Sequence, residues 1–288
     1  MKAYKFIAVF GLILFSCTKS HNPLPDDEPS DNTKTFGVTF NVLQESESTK
    51  SLNSNLKTNS NTSITGFTDH LVYQVYDSAG KLITTLKQDS ASSNYGRISD
   101  TFAPGKYNIV IIAAKGGVIK ASEGYFYPNG YDSFFKQIPI TVTDHAINKD
   151  IVLERVVGKL QLKILDAIPT TVASLKMEVV GDVSFSLPAG GINQKSNTLT
   201  ITKSIPDSLK GNQNVTITTY IANTFEPFKV NIYAYDASGK TLHYAVVNDV
   251  SCQKNTVTLL SGKLFENAQT GIHITFPEWG TDPNVIHF

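Results

Sequence analysis

"VYDSAGK" (residues 75–81) is echoed 159 positions later by "AYDASGK" (residues 234–240). The flanks match as well. Leu71, Tyr73 and Val75 alternate with Val72, Gln74 and Tyr76, and Val230, Ile232 and Ala234 alternate with Asn231, Tyr233 and Tyr235. A period of two is the pattern of a strand. An Asp opens each turn, where its carboxylate can accept from backbone N–H groups just ahead, and a Gly closes it, where positive φ is free of steric penalty. Apolar alternation resumes at Leu82–Leu86 and Leu242–Val247. Each copy reads as strand, tight turn, returning strand. Asp-x-x-Gly is also half of a calcium loop, but the further acidic ligands at alternate positions and the closing Glu are missing.

Outward from these hairpins, short strands recur at roughly ten-residue spacing, the pattern of β-sandwiches. "FGVTFNVL" (36–43) is a first strand, followed by a segment (44–63) dominated by Ser, Asn and Thr that reads as a loop. A Pro104-Gly105 turn separates two further strands. Residues 116–131 form a Gly- and Tyr-rich crossing with room for one helical turn. "KDIVLERVVGKLQLKILD" (149–166) is too long for one ordinary strand and breaks near Arg155–Gly158. No stretch carries a helical apolar stripe. The expected architecture is all-β: two tandem Greek-key sandwiches of the transthyretin-like kind, residues 36–154 and 155–288.

The first sixteen residues have another character. "MKAYK" is basic and "FIAVFGLILF" (6–15) is a ten-residue apolar run, too short to span a bilayer but suited to a signal-peptide core. "LFSC" (14–17) resembles the bacterial lipobox, in which Cys17 receives a diacylglycerol and becomes the new N-terminus; Phe15 is larger than usual at its position. An ordinary secretory signal with an incidental Cys is the alternative. Residues 17–35, with three Pro and the run Asp26-Asp27-Glu28, read as a polar tether. A signal segment of residues 1–16 with a lipid on Cys17 places the mature chain outside the cytoplasmic membrane.

The whole chain carries 25 basic and 25 acidic residues; removal of Lys2 and Lys5 with the signal leaves 23 against 25, a net of −2. Only two Arg occur, Arg97 and Arg155. No basic field exists to hold phosphates, which argues against nucleic acid. The six His are scattered without metal-ligand spacing, and neither a nucleophile elbow nor a phosphate-binding Gly loop is present. No cofactor, metal or catalytic activity is expected. Cys252 has no intramolecular disulfide partner once Cys17 is lipidated and reads as a small buried hydrophobe.

Taken together, the lipobox Cys, the tether, "LVYQVYDSAGK", "APGKYNIVIIA" and "LERVVGKLQLKI" resemble the fimbrial subunit lipoproteins of Bacteroidetes, in particular the FimB/Mfa2 group of anchor and minor subunits. The resemblance implies two transthyretin-like sandwiches, an outer-membrane location, other fimbrial subunits as partners, and assembly by strand exchange, in which one subunit's terminal strand completes a neighbour's sheet. In that family, stalk subunits are trimmed by an Arg-specific protease. No Arg lies between Cys17 and Phe36, which favours an anchor or accessory subunit that keeps its lipid and its cell-surface position. A surface glycan-binding lipoprotein of a carbohydrate-uptake system is the alternative, resting on "EGYFYPNGY" (123–131), whose Tyr125, Phe126, Tyr127 and Tyr131 could stack on sugar rings or cap a core. At the C-terminal end, "GIHITF" (271–276) sets Ile272, Ile274 and Phe276 on one face, either as the last strand of its own sandwich or as a donor strand.

Overall fold

Alternation on the scale of five to thirteen residues gives strands and almost nothing else. A computed structural model describes residues 34–45, 61–117, 119–122, 124–189, 191–266 and 272–275. Cys17, the tether up to Thr33, most of the Ser/Asn-rich loop, and Phe276 lie outside these residues. The single helical element among the described residues is a 3-10 turn at Asp207–Leu209.

The first half holds β1 (Phe36–Glu45), β2 (Asn61–Ser63), β3 (His70–Asp77), β4 (Leu82–Asp89), β5 (Arg97–Phe102), β6 (Gly105–Lys115), β7 (Lys120–Ser122), β8 (Tyr125–Tyr127), β9 (Asp132–Val142) and β10 (Ile147–Arg155). β1 runs parallel to β10 and antiparallel to β5 and β2. A second group runs β9-β6-β3-β4, and the two meet where Glu154 and Arg155 of β10 pair with Phe135 and Phe134 of β9. Between the groups lies an apolar core built from Val38, Phe40 and Val42 of β1, Leu71, Tyr73 and Val75 of β3, Ile109 and Ile111 of β6, and Ile151 and Leu153 of β10. The residues flanking Pro104-Gly105 belong to different groups, β5 pairing with β1 and β6 with β3 and β9, so this turn is a corner between layers.

The second half holds β11 (Gly158–Ile164), β12 (Ser174–Ser186), β13 (Ile192–Ser204), β14 (Val215–Ile221), β15 (Phe228–Tyr235), β16 (Thr241–Val250), β17 (Val257–Gly262) and β18 (His273–Thr275). One sheet is ordered β14-β11-β17-β18; the other contains β16-β15-β12, with β13 also on β12. Leu160, Leu162, Val215, Ile217 and Leu260 from the first meet Leu175, Met177, Val179, Val230 and Ile232 from the second. Cys252 is buried in this core, and burial pushes its thiol up to about 12. It packs as an apolar group.

β10 ends at Arg155 and β11 begins at Gly158, so the long stretch 149–166 is two strands. The helical turn for which 116–131 had room does not occur among its described residues. That segment folds as the hairpin β7–β8, because its apolar Ala121 and Phe126 pair across two short strands. β8 then pairs with β12, so residues from the first half extend a sheet of the second. A third core forms there: Val72, Tyr76, Val110 and Ile112 from the outer faces of β3 and β6 meet Phe126, Val183, Phe185 and Val157. Beside it, Arg155 donates to both carboxylate oxygens of Asp132 (2.8 and 3.2 Å) and to Asn255 Oδ1 (2.6 Å), with its guanidinium 4.8 Å from the Phe134 ring centre. Both members of the ion pair are only 9% exposed, and the planar fork satisfies a charge that would otherwise be stranded there.

Candidate functional site

Cross-strand register assembles one pocket. Lys120 is opposite Tyr127 in β7–β8, and Ser184 is opposite Asn193 in β12–β13. β8 and β12 pair through Phe126↔Phe185 and Tyr125↔Ser186, a register that continues to place Tyr127 beside Ser184. Lys120, Tyr127, Ser184 and Asn193 thus form a row across four strands. The β12–β13 ladder is irregular at this point. Asp182 is opposite Asn197 while Ser184 is opposite Asn193, so β13 uses more residues than β12 over the same span. Such bulges re-aim side chains, and here both Asn193 and Asn197 turn to a pocket of about 300 Å³ that is also lined by Lys120, Tyr125, Tyr127 and Ser184.

Tyr125 and Tyr127 share a strand face because their spacing is two. Tyr125 is 47% exposed. The Tyr127 hydroxyl is buried, and neither it nor Asp182 Oδ2 has a hydrogen-bond partner among the described residues. The two groups still influence each other: burial, reinforced by the Asp182 charge, raises the Tyr127 phenol well above its ordinary value and keeps it protonated. Asp182 Oδ1 accepts from the backbone N–H groups of Ala222 (2.9 Å) and Asn223 (3.0 Å). Desolvation outweighs these bonds and raises the Asp182 carboxyl to about 6.

The four aromatic residues singled out in 123–131 therefore separate. Tyr125 and Tyr127 line the pocket. Phe126, on the opposite face of β8, is wholly buried and stacks on Phe185 at 5.8 Å in the third core. Tyr131 packs, partly buried, against that same core. Lys120, Ser184, Asn193 and Asn197 were not singled out from the sequence, because nothing local marks a residue that register brings to a distant partner.

At the other end of the chain, β18 lies at a sheet edge and pairs with β17 at three positions, Leu259↔Thr275, Leu260↔Ile274 and Ser261↔His273. Ile272 and Ile274 rest, partly buried, on the core of the second half. Gly262 makes room for this: a Cβ there would sit 2.8 Å from Ile272 Cα. The segment entering from β17 is pinned by Asp166, whose carboxylate accepts from the N–H groups of Leu264, Phe265 and Glu266 at 3.0, 2.6 and 2.8 Å.

Architecture and pocket define an all-β protein with a polar, aromatic-edged recess. No family model matches the chain, and no curated protein does. Among solved structures, its fold is similar to that of a candidate polysaccharide-binding protein of Bacteroides thetaiotaomicron, with 12% identity, a TM-score of 0.51, and coverage of 85% of this chain and 96% of that one. It is also similar to the fimbrial anchor protein Mfa2 of Porphyromonas gingivalis (11% identity, TM-score 0.49, 85% and 98% covered). A third is a fimbrial assembly protein of Parabacteroides distasonis (11% identity, TM-score 0.43, 85% and 96% covered).

Proposed function

We propose that this chain is a cell-surface fimbrial subunit of the anchor or accessory type. In this reading it is held at the outer membrane by a lipid on Cys17 and joins neighbouring fimbrial subunits by strand exchange, and it carries out no catalysis. The observation that supports it best is the terminal edge. A three-residue strand carrying Ile274, with Ile272 directly ahead of it, seats two apolar knobs beside a glycine-made recess and is held by few backbone pairs. An edge of this kind is a template for another strand, and short apolar knobs at period two are what strand addition reads. The lipobox-like "LFSC" and the polar tether support attachment at the membrane.

Two variants test the two parts. Ending the chain after Glu266 keeps Leu264 and the Asp166 clamp in place, and is expected to abolish co-purification of fimbrial subunits from the native membrane while leaving the melting temperature within a few degrees. Collapse of stability would show that β18 serves only its own sandwich and would sink strand exchange by this segment. Cys17→Ser is expected to abolish incorporation of radiolabelled fatty acid and release the protein from membranes. A variant that stays membrane-bound would overturn the anchor.

A further inference from the structure

We infer that the pocket between β8 and β13 is a saccharide-binding site that takes a single pyranose unit of a glycan. Three features point to this class of ligand. First, two tyrosines at i and i+2 of one strand line the same recess, and Tyr125 leaves nearly half its surface to solvent. Sugar rings carry an apolar C–H face that packs on such rings. Second, the remaining lining is a set of short polar groups, the amides of Asn193 and Asn197, the Ser184 hydroxyl and the Lys120 ammonium. Each amide offers both a donor pair and an acceptor, which matches the vicinal hydroxyls of a sugar, each able to give and to receive. Third, the volume of about 300 Å³ lies at the small end of ligand pockets, suited to one ring and too small for a long apolar chain.

The recess is also built to hold its shape. Phe126 on the reverse of β8 is locked against Phe185 in the third core, which fixes the strand that presents Tyr125 and Tyr127. The phenol end of Tyr127 is buried beside Asp182, whose other oxygen is tied to the backbone at Ala222 and Asn223. The Tyr127 ring therefore lines the pocket while its hydroxyl is turned into the protein. Preorganised rings lose little freedom on binding, which favours affinity. The irregular ladder in β12–β13 serves the same end, because it sets Asn193 and Asn197, four residues apart, opposite Ser184 and Asp182, only two apart, and so draws both amides to one recess.

This inference does not depend on the fimbrial reading and is tested separately. The intact protein is run in native affinity gels containing soluble mannan, xylan, laminarin or polygalacturonate, three neutral polymers and one acidic, and positive cases are titrated calorimetrically. Retention by at least one polymer is expected, with Tyr125→Ala weakening it about tenfold, the effect of losing one stacked ring. Asn193→Ala is expected to weaken it comparably. Tyr244→Ala, on an exposed strand outside the pocket, should bind as the wild type does. Lys120→Met separates the two chemistries, lowering affinity strongly for polygalacturonate and little for a neutral polymer. Absence of retention by all four polymers would overturn the site. So would retention that survives Tyr125→Ala and Asn193→Ala in variants whose melting temperatures are unchanged.

Discussion

In hairpin β3–β4, Asp77 Oδ1 accepts from the N–H groups of Ala79 and Lys81, both at 2.9 Å, and Gly80 sits at φ +81°. In hairpin β15–β16, Asp236 Oδ1 accepts from Ser238 and Lys240 at 2.9 and 3.0 Å, and Gly239 sits at φ +84°. The turns are the same, but the strands behind them are not. Every residue from Leu71 to Tyr76 is buried, on both faces of β3. β15 buries Val230, Ile232 and Ala234 on one side. On the other it displays Tyr233 and Tyr235, parallel within 16° at 5.9 Å, with the Lys176 Nζ 4.4 Å from the Tyr233 ring centre. The cause is remote: β8, β12 and the Val156–Val157 break cover the outer face of β3, and no described element covers that of β15. A turn is decided by its own five residues. Burial of a second face is decided by residues about fifty to a hundred and ten positions away.

The strongest way to break this contrast is to truncate one ring on each outer face. Tyr76→Ala empties a fully buried site in the third core and is expected to destabilise by about 3–5 kcal/mol in denaturant titration, the range for large buried aromatics. Tyr235→Ala should stay within about 1 kcal/mol, the usual range for half-exposed positions. Equal losses would mean that the two hairpins are equivalent after all.

Next in size is a pH effect confined to the covered side, where β12 brings Asp182. Its carboxyl is raised in the folded state, so the unfolded chain releases the proton first. The contribution is fully favourable below about pH 4 and is lost as pH rises to about 6, amounting to about 3 kcal/mol at ~1.4 kcal/mol per pH unit. Asp182→Asn keeps an oxygen for the Ala222 and Asn223 N–H groups and should flatten the stability profile between pH 4 and 6. An unaltered slope would show that Asp182 is not the group responsible.

Smaller, and expected to be alike in both hairpins, is the effect of Gly80→Val and Gly239→Val. Each forces a β-branched residue into positive φ and should lower stability by about 1 kcal/mol or somewhat more. Asp77→Ala and Asp236→Ala should each remove turn hydrogen bonds worth about 1 kcal/mol in total, given their exposure to water. A marked asymmetry within either pair would tie the turns to their surroundings.

What could be read from the residues follows the same division. Both hairpins and the break after Arg155 were legible because each depends on neighbours in sequence, and the burial of Cys252 because a free thiol is among the most buried residue types. The hairpin β7–β8 was not: its strands are three residues long, and what stabilises them is pairing with β12, some sixty residues on. Of the pocket, Tyr125 and Tyr127 stood out by residue type. Asn193 and Asn197 look like any other amides in a polar strand until the irregular register of β12–β13 sets them beside those rings.

The placement of β1 has a mechanical consequence. This strand is bonded on both sides, through seven registered positions to β10 and six to β5. Tension applied along β1 from the chain ahead of Phe36 cannot unzip those ladders one rung at a time. It must slide the strand past two neighbours at once, dragging Val38, Phe40 and Val42 through the core. Single-molecule pulling from that end should therefore meet a high rupture force. Pulling from the side of β18, where three pairs peel in succession from one partner, should meet a low one.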